Sequence, residues 1–146
     1  MRFARLTLVA MLSVVVAACS AGSSSTTAPA PASAPTRIEV KLTDALRIEP
    51  AAMKVRAGQP ITFIVTNAGS TEHEFYVGDE QAQAAHEKEM AAMGGMAHDE
   101  AMGVGLKAGQ TKELTVTFPA AGTTLAGCHV GGHYGLGMKA SIEITG

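Results

Sequence analysis

Cys128, His133 and Met138 stand at five-residue steps in the stretch Cys128-His129-Val130-Gly131-Gly132-His133-Tyr134-Gly135-Leu136-Gly137-Met138. His73 stands far upstream, in Thr71-Glu72-His73-Glu74-Phe75. One thiol, two imidazoles and a thioether are the donors of a mononuclear blue-copper site, two His and one Cys near trigonal with a weak axial Met. Copper alternates between a soft Cu(I) and a harder Cu(II), and this mixed set suits both states in similar geometry. Cys128 is expected to bind as thiolate, His73 and His133 as neutral imidazoles, and Met138 from a long axial position that sets the potential.

The glycines and the cysteine count support this reading. Gly131, Gly132, Gly135 and Gly137 let the loop fold back, so that three donors from one short segment reach one ion. The chain has two cysteines. Cys19 falls at the end of a leader, which leaves Cys128 without a partner, and a lone thiol in an oxidising compartment persists best as a metal ligand.

The leader itself reads as an export signal. Arg2 and Arg5 form a basic head, and Leu6 to Ala18 is apolar apart from Thr7 and Ser13. That run is too short to span a bilayer and ends in small residues. Val16-Ala17-Ala18-Cys19 resembles the bacterial lipobox, in which the Cys is lipidated and becomes the mature N-terminus. Ser20, in place of Asp, directs such a lipoprotein to the outer membrane. The expected location is therefore periplasmic, with a lipid anchor at Cys19. Ser20 to Pro35 holds only Ser, Thr, Ala, Pro and one Gly, without charge, and reads as a tether that buries nothing. The expected organisation is 1–19 signal and lipobox, 20–35 tether, and 36–146 a single metal-binding domain. Loss of two arginines with the leader takes the formal charge from −2 to −4, with no basic stripe to meet nucleic acid.

Elements that can hold the donors follow from period-two alternation. Ile38, Val40 and Leu42, then Ile61, Phe63 and Val65, then Leu114, Val116 and Phe118, then Ile142 and Ile144 each place apolar residues at every second position. Met53 to Arg56, His73 to Val77 and Thr123 to Cys128 read as further strands. Turn-forming segments such as Asn67-Ala68-Gly69-Ser70 and Ala108-Gly109-Gln110 separate them. The fold class expected is all-β, a Greek-key β-sandwich with one helical insertion.

That insertion runs from Glu80 to Met102 and is rich in Met and His. Its first half favours a helix, on which His86, Met90 and Met93 share a stripe, and Gly94-Gly95 ends it. Met96, His98 and Met102 follow. Two readings stand side by side. His86, Met90, Met93, Met96, His98 and Met102 form a weaker, secondary Cu(I) site, or the methionines are gap-fillers over the sandwich.

The segments Ile48-Glu49-Pro50, Met53 to Gly58, Ile61 to Asn67, His73-Glu74-Phe75 and the Cys-His-Met loop resemble the cupredoxins. The likeness is greatest to plastocyanin/azurin-like copper proteins of the bacterial periplasm, including those linked to copper resistance. It covers about Arg37 to Gly146. It implies an eight-stranded sandwich with one type 1 copper at one end, held by His73, Cys128, His133 and Met138, and no substrate chemistry. Three positions depart from the family pattern. Ala126 replaces a frequent aromatic, Gly131-Gly132 replaces a frequent Pro-Gly, and His129 directly follows the thiolate. These changes are expected to loosen the loop, and His129 is expected on the solvent side rather than as a relay to a second copper.

Two functions fit this set. One is an electron carrier that meets a redox partner protein near His133, where Tyr134 and Leu136 would form a small docking face. The other is a copper-resistance factor that sequesters copper or delivers it to a copper-handling protein. A copper enzyme is not expected, because it would need a second copper domain or histidines at a subunit interface.

Overall fold

The computed structural model describes residues 35–146. The leader, Cys19 of the lipobox and all of the tether except Pro35 lie outside the described residues. The elements in order are β1 (Thr36–Thr43), β2 (Arg47–Glu49), β3 (Ala52–Arg56), β4 (Pro60–Asn67), β5 (His73–Gly78), α1 (Glu80–Ala92), β6 (Gly103–Leu106), β7 (Thr111–Thr117), β8 (Gly122–Gly127) and β9 (Lys139–Thr145). A 3-10 turn at Val130–Gly132 lies between β8 and β9.

The strands form a sheet of order β2-β1-β4-β7 and another of order β3-β9-β8-β5-β6. β1 runs parallel to β4 and β3 parallel to β9, while the remaining pairs are antiparallel. This is the two-sheet, all-β architecture expected, with nine strands among the described residues instead of eight. β2 and β6, which no alternation announces, are only three and four residues long.

Alternation produces the core directly. Val40, Leu42, Ile61, Phe63, Val65, Phe75, Val77, Leu114, Val116, Ile142 and Ile144 all enter one buried apolar cluster. Phe63 of β4 and Phe75 of β5 join the two sheets, with ring centroids 5.2 Å apart. Cys128 and Met138 belong to the same cluster, so two of the proposed donors are packed as core residues.

α1 begins at Asp79, whose side chain accepts from the Ala82 N–H at 2.8 Å. It ends at Met93, followed by Gly94 and Gly95 with φ of 81° and 73°. Its buried residues are Gln83, His86 and Met90, one stripe at steps of three and four. Two of these are polar, so hydrogen bonds hold the helix down. The Gln83 amide donates to the carbonyls of Tyr76, Gly78 and Leu125 at 3.2–3.3 Å, which fastens α1 to β5 and β8.

Candidate metal centre

The chain delivers its donors from strand ends. His73 opens β5, Cys128 directly follows β8, His133 follows the 3-10 turn and Met138 directly precedes β9. His73, Cys128 and Met138 are fully buried, and His133 is partly exposed. The Cys128 Sγ lies 3.8 Å from His73 Nδ1 and 3.6 Å from His133 Nδ1. A trigonal ion with metal–nitrogen bonds of about 2.0 Å and a metal–sulfur bond of about 2.3 Å needs sulfur–nitrogen separations of about 3.7 Å. The three donors therefore already stand at the spacing that a first-row ion requires, and their types fit copper.

Met138 is tied to the other two loop donors by backbone. Its carbonyl accepts from the Cys128 N–H at 3.1 Å, and its own N–H donates to the His133 carbonyl at 3.0 Å. Gly131, Gly132 and Gly137 carry φ of 56°, 79° and 98°, the left-handed values that this fold-back requires. Gly127, next to Cys128, has no room for a side chain. A Cβ there would come within 2.5 Å of the Tyr134 ring and 2.7 Å of Gln83 Oε1.

The surroundings orient the donors. The Glu74 N–H donates to the Cys128 sulfur at 3.3 Å. His73 Nε2 lies 3.4 Å from Thr71 Oγ1 and 3.6 Å from Asp44 Oδ1, which directs its Nδ1 toward the sulfur. Asp44 also takes hydrogen bonds from Ser70 and Thr71, and these hold its carboxyl well below the usual carboxylate range. The amide of buried Asn67 donates to the carbonyls of Thr71 and Leu106, which pins the turn ahead of His73. Desolvation, then the neighbouring His133, pull the His73 pKa down and favour the neutral ligand form. Desolvation pushes the Cys128 thiol up to about 11, against a lowering by the Glu74 N–H. A metal ion must therefore displace a proton from Cys128 as it binds.

Asp44, Asn67, Thr71 and Glu74 escape a reading of the sequence. Glu74 adjoins His73, but alternation sends it to the opposite face of β5, where α1 covers it. Burial lifts its carboxyl above the ordinary range, opposed by His86 and by the His129 N–H.

Two expectations need correction. His129 is not on the solvent side but 2% exposed. Its Nδ1 meets Glu87, its Nε2 meets Gln83 Oε1 at 2.7 Å, and its ring stacks on Tyr134 at 4.5 Å. α1, which lies over the end of β8, buries it. Tyr134 consequently packs inward against His129, and Leu136, 72% exposed, is the large apolar residue left at the loop surface.

The insertion residues separate. Met90 is buried, whereas Met93, Met96 and Met102 are exposed, so the stripe expectation for packing holds for Met90 and not for Met93. Met93, Met96 and His98 line a shallow groove of about 250 Å³ with Glu72 and Ala97. His86 does not line that groove; it sits in a group of carboxylates with Glu74 and Glu100.

The family model for the cupredoxin-like domain matches residues 8–128. A copper-resistant cuproprotein CopI from Rubrivivax gelatinosus is 34% identical over 107 residues, 73% of this chain and 65% of that protein. The chain thus spans just under two thirds of that relative's length. CopI from Pseudomonas aeruginosa is 32% identical, with 73% of this chain and 75% of the relative covered. Among solved structures, dithionite-reduced auracyanin from Roseiflexus castenholzii superposes with a TM-score of 0.69 at 25% identity, over 77% of this chain and 99% of auracyanin.

Proposed function

This chain belongs to the cupredoxin-like family, and from that premise we propose that it holds one copper ion through His73, Cys128, His133 and Met138 and passes single electrons. The observation that carries the proposal is the buried triangle of Cys128 Sγ with His73 Nδ1 and His133 Nδ1, at 3.8 and 3.6 Å. Bound copper supplies a one-electron couple. The residues do the rest. Cys128 gives up its proton, and the Glu74 N–H stabilises the charge left on sulfur. Asp44 and Thr71 keep His73 turned inward. The core around Cys128 and Met138 excludes water and resists rearrangement, which keeps the cost of changing oxidation state small. His133 is the partly exposed donor, so a redox partner would meet the loop beside Leu136.

A second reading places this site in copper resistance, with capture or delivery of the metal as its purpose. Relatives named copper-resistant cuproproteins favour it, as does the groove of Met93, Met96 and His98, whose donors suit Cu(I). Export to the periplasm, with a lipid anchor at Cys19, belongs to either reading.

Addition of Cu(II) to the metal-free chain is expected to produce an intense visible band from thiolate-to-copper charge transfer. Cys128→Ala should abolish it, and Met138→Leu should keep it while raising the potential. A chain that binds copper without that band would overturn the proposal. To separate the two readings, residues 93–98 are replaced by Gly and Ser and copper tolerance is measured in cells. Lost tolerance with an unchanged band and potential supports the resistance role, and unchanged tolerance supports the carrier.

A further inference from the structure

On the far side of β5 from the first centre, donors of a different kind converge. Oxygens of Glu74 and Glu100 and a ring nitrogen of His86 lie within 4.8 Å of one another. None of these side chains has a task in the site already described. Glu74 and His86 are fully enclosed, and Glu100 is about a quarter exposed.

The hydrogen bonds sort the two faces of the His86 ring. Its Nε2 lies 3.0 Å from Glu74 Oε1, a bond in which the imidazole N–H donates to the carboxylate. The other Glu74 oxygen accepts from the His129 backbone N–H at 3.3 Å, so the carboxylate cannot turn away. The ring is held flat against Tyr76, with centroids 4.0 Å apart and planes 8° apart, and His129 meets it edge-on at 5.0 Å. What remains is Nδ1. It has no hydrogen-bond partner, although it is buried and Glu100 Oε1 lies only 3.2 Å away. Glu100 Oε1 is likewise buried and without a hydrogen bond. His98 Nε2 stands 3.9 Å from the same oxygen, and Glu89 Oε2 stands 3.8 Å from His86 Nδ1.

A nitrogen lone pair and a carboxylate oxygen repel each other at that distance unless a proton or a metal ion lies between them, and the misaligned geometry that leaves both without a hydrogen bond disfavours the proton. An imidazole whose second nitrogen is fixed by a buried carboxylate is the usual form of a metal-bound histidine. The frame is also anchored. Asp99 accepts from the Gly105 N–H at 3.0 Å and from Lys112 Nζ at 2.7 Å. The backbone of His98 lies so close to β6 that a Cβ at Gly105 would meet it at 2.7 Å.

We propose that His86 Nδ1, His98 Nε2 and Glu100, with Glu89 at the solvent edge, form a second metal site for a borderline divalent ion such as Cu(II), and that Glu74 orients His86 for it. The donors are nitrogen and oxygen, without sulfur, which selects a divalent ion over Cu(I). Glu74 couples this site to the first, since its carboxylate holds His86 and its N–H holds the Cys128 sulfur.

The test is a Cu(II) titration of the full chain followed by electron paramagnetic resonance. Wild type is expected to bind two ions, the second with a nitrogen/oxygen signal distinct from that of the thiolate site. Cys128→Ala with His133→Ala should remove the thiolate band and keep the second signal. In that background, Glu100→Gln with His98→Ala should weaken the remaining binding by about tenfold or more. These last two positions are partly exposed, so the fold should tolerate their change. Wild type that binds one ion overturns the proposal. An affinity unmoved by Glu100→Gln with His98→Ala overturns it too. Failure of the first centre would show differently, as a missing thiolate band beside an intact nitrogen/oxygen signal.

Discussion

The first centre and the Glu74/His86/Glu100 cluster share one residue but are built on different principles. The first hangs on strand ends and a short fold-back loop, its sulfur and thioether packed as part of the apolar core. The second hangs on α1 and the segment after it, and its buried parts are polar. One is held by apolar packing and the sheet ladder, the other by a chain of side-chain hydrogen bonds through Gln83, Glu74 and His129. The lesson is that a sandwich can carry a rigid soft-donor site on one face of a strand and a hard-donor cluster on the other. Alternation alone assigns His73 and Glu74 to them.

The sharpest way to tell the two apart is pH. Burial keeps the Cys128 proton on until about pH 11, so copper entering the first centre must expel it. Its apparent affinity should therefore rise about tenfold per pH unit between about pH 7 and 9, from that proton alone. Competition against a chelator of known pH dependence would measure this. A flat profile would mean that the thiol is not a ligand.

Glu74→Leu attacks the shared residue. It keeps the backbone N–H on sulfur but strands His86 and the His129 N–H in a dry interior. Leaving these two buried donors without an acceptor should cost about 1–3 kcal/mol each, measured by urea denaturation. The thiolate band should survive in the folded fraction.

Two smaller substitutions separate packing from polar attachment. Gly127→Ala drives a methyl into Tyr134 and Gln83, and overpacking of this kind costs about 1–3 kcal/mol. Because Cys128 is the next residue, this change should also shift the visible band. Gln83→Ala releases α1 from three carbonyls and should cost about 2 kcal/mol while leaving the band in place. Denaturation midpoints read together with the spectrum distinguish these outcomes.

The gentlest probe is acid. The Asp44 carboxyl is depressed by its hydrogen bonds to Ser70 and Thr71. Its contribution to stability is therefore complete above the ordinary carboxylate range and is lost as pH falls through its lowered pKa. Asp44→Asn should flatten that part of the acid-stability profile, as followed by circular dichroism, and an unchanged profile would remove Asp44 from the support of His73.

The sequence announces one of these regions far better than the other. Ile38/Val40/Leu42 and Ile61/Phe63/Val65 alternate because one face of each strand is wet or lightly covered, so pattern reports structure. β6 is Gly-Val-Gly-Leu with all four residues buried, and it carries no alternation to read. Cys128 and His133 are legible because donor type and spacing are local in the loop, and His73 because it is a histidine at the head of an alternating strand. Glu74, Asp44 and the burial of His129 depend on contacts between residues 26 to 55 positions apart, which no short window contains. An acidic residue beside a ligand, or a histidine among glycines, looks solvated until a helix is laid across it.

The hydrogen bond from the Glu74 amide to the Cys128 sulfur extends the ladder between β5 and β8 beyond its last rung, Tyr76 with Gly127. Sulfur there does the work of a peptide oxygen. Shut in and protonated, it is a sluggish nucleophile. That proton gates its chemistry, and an ion able to draw it off turns the enclosed thiol into a ligand.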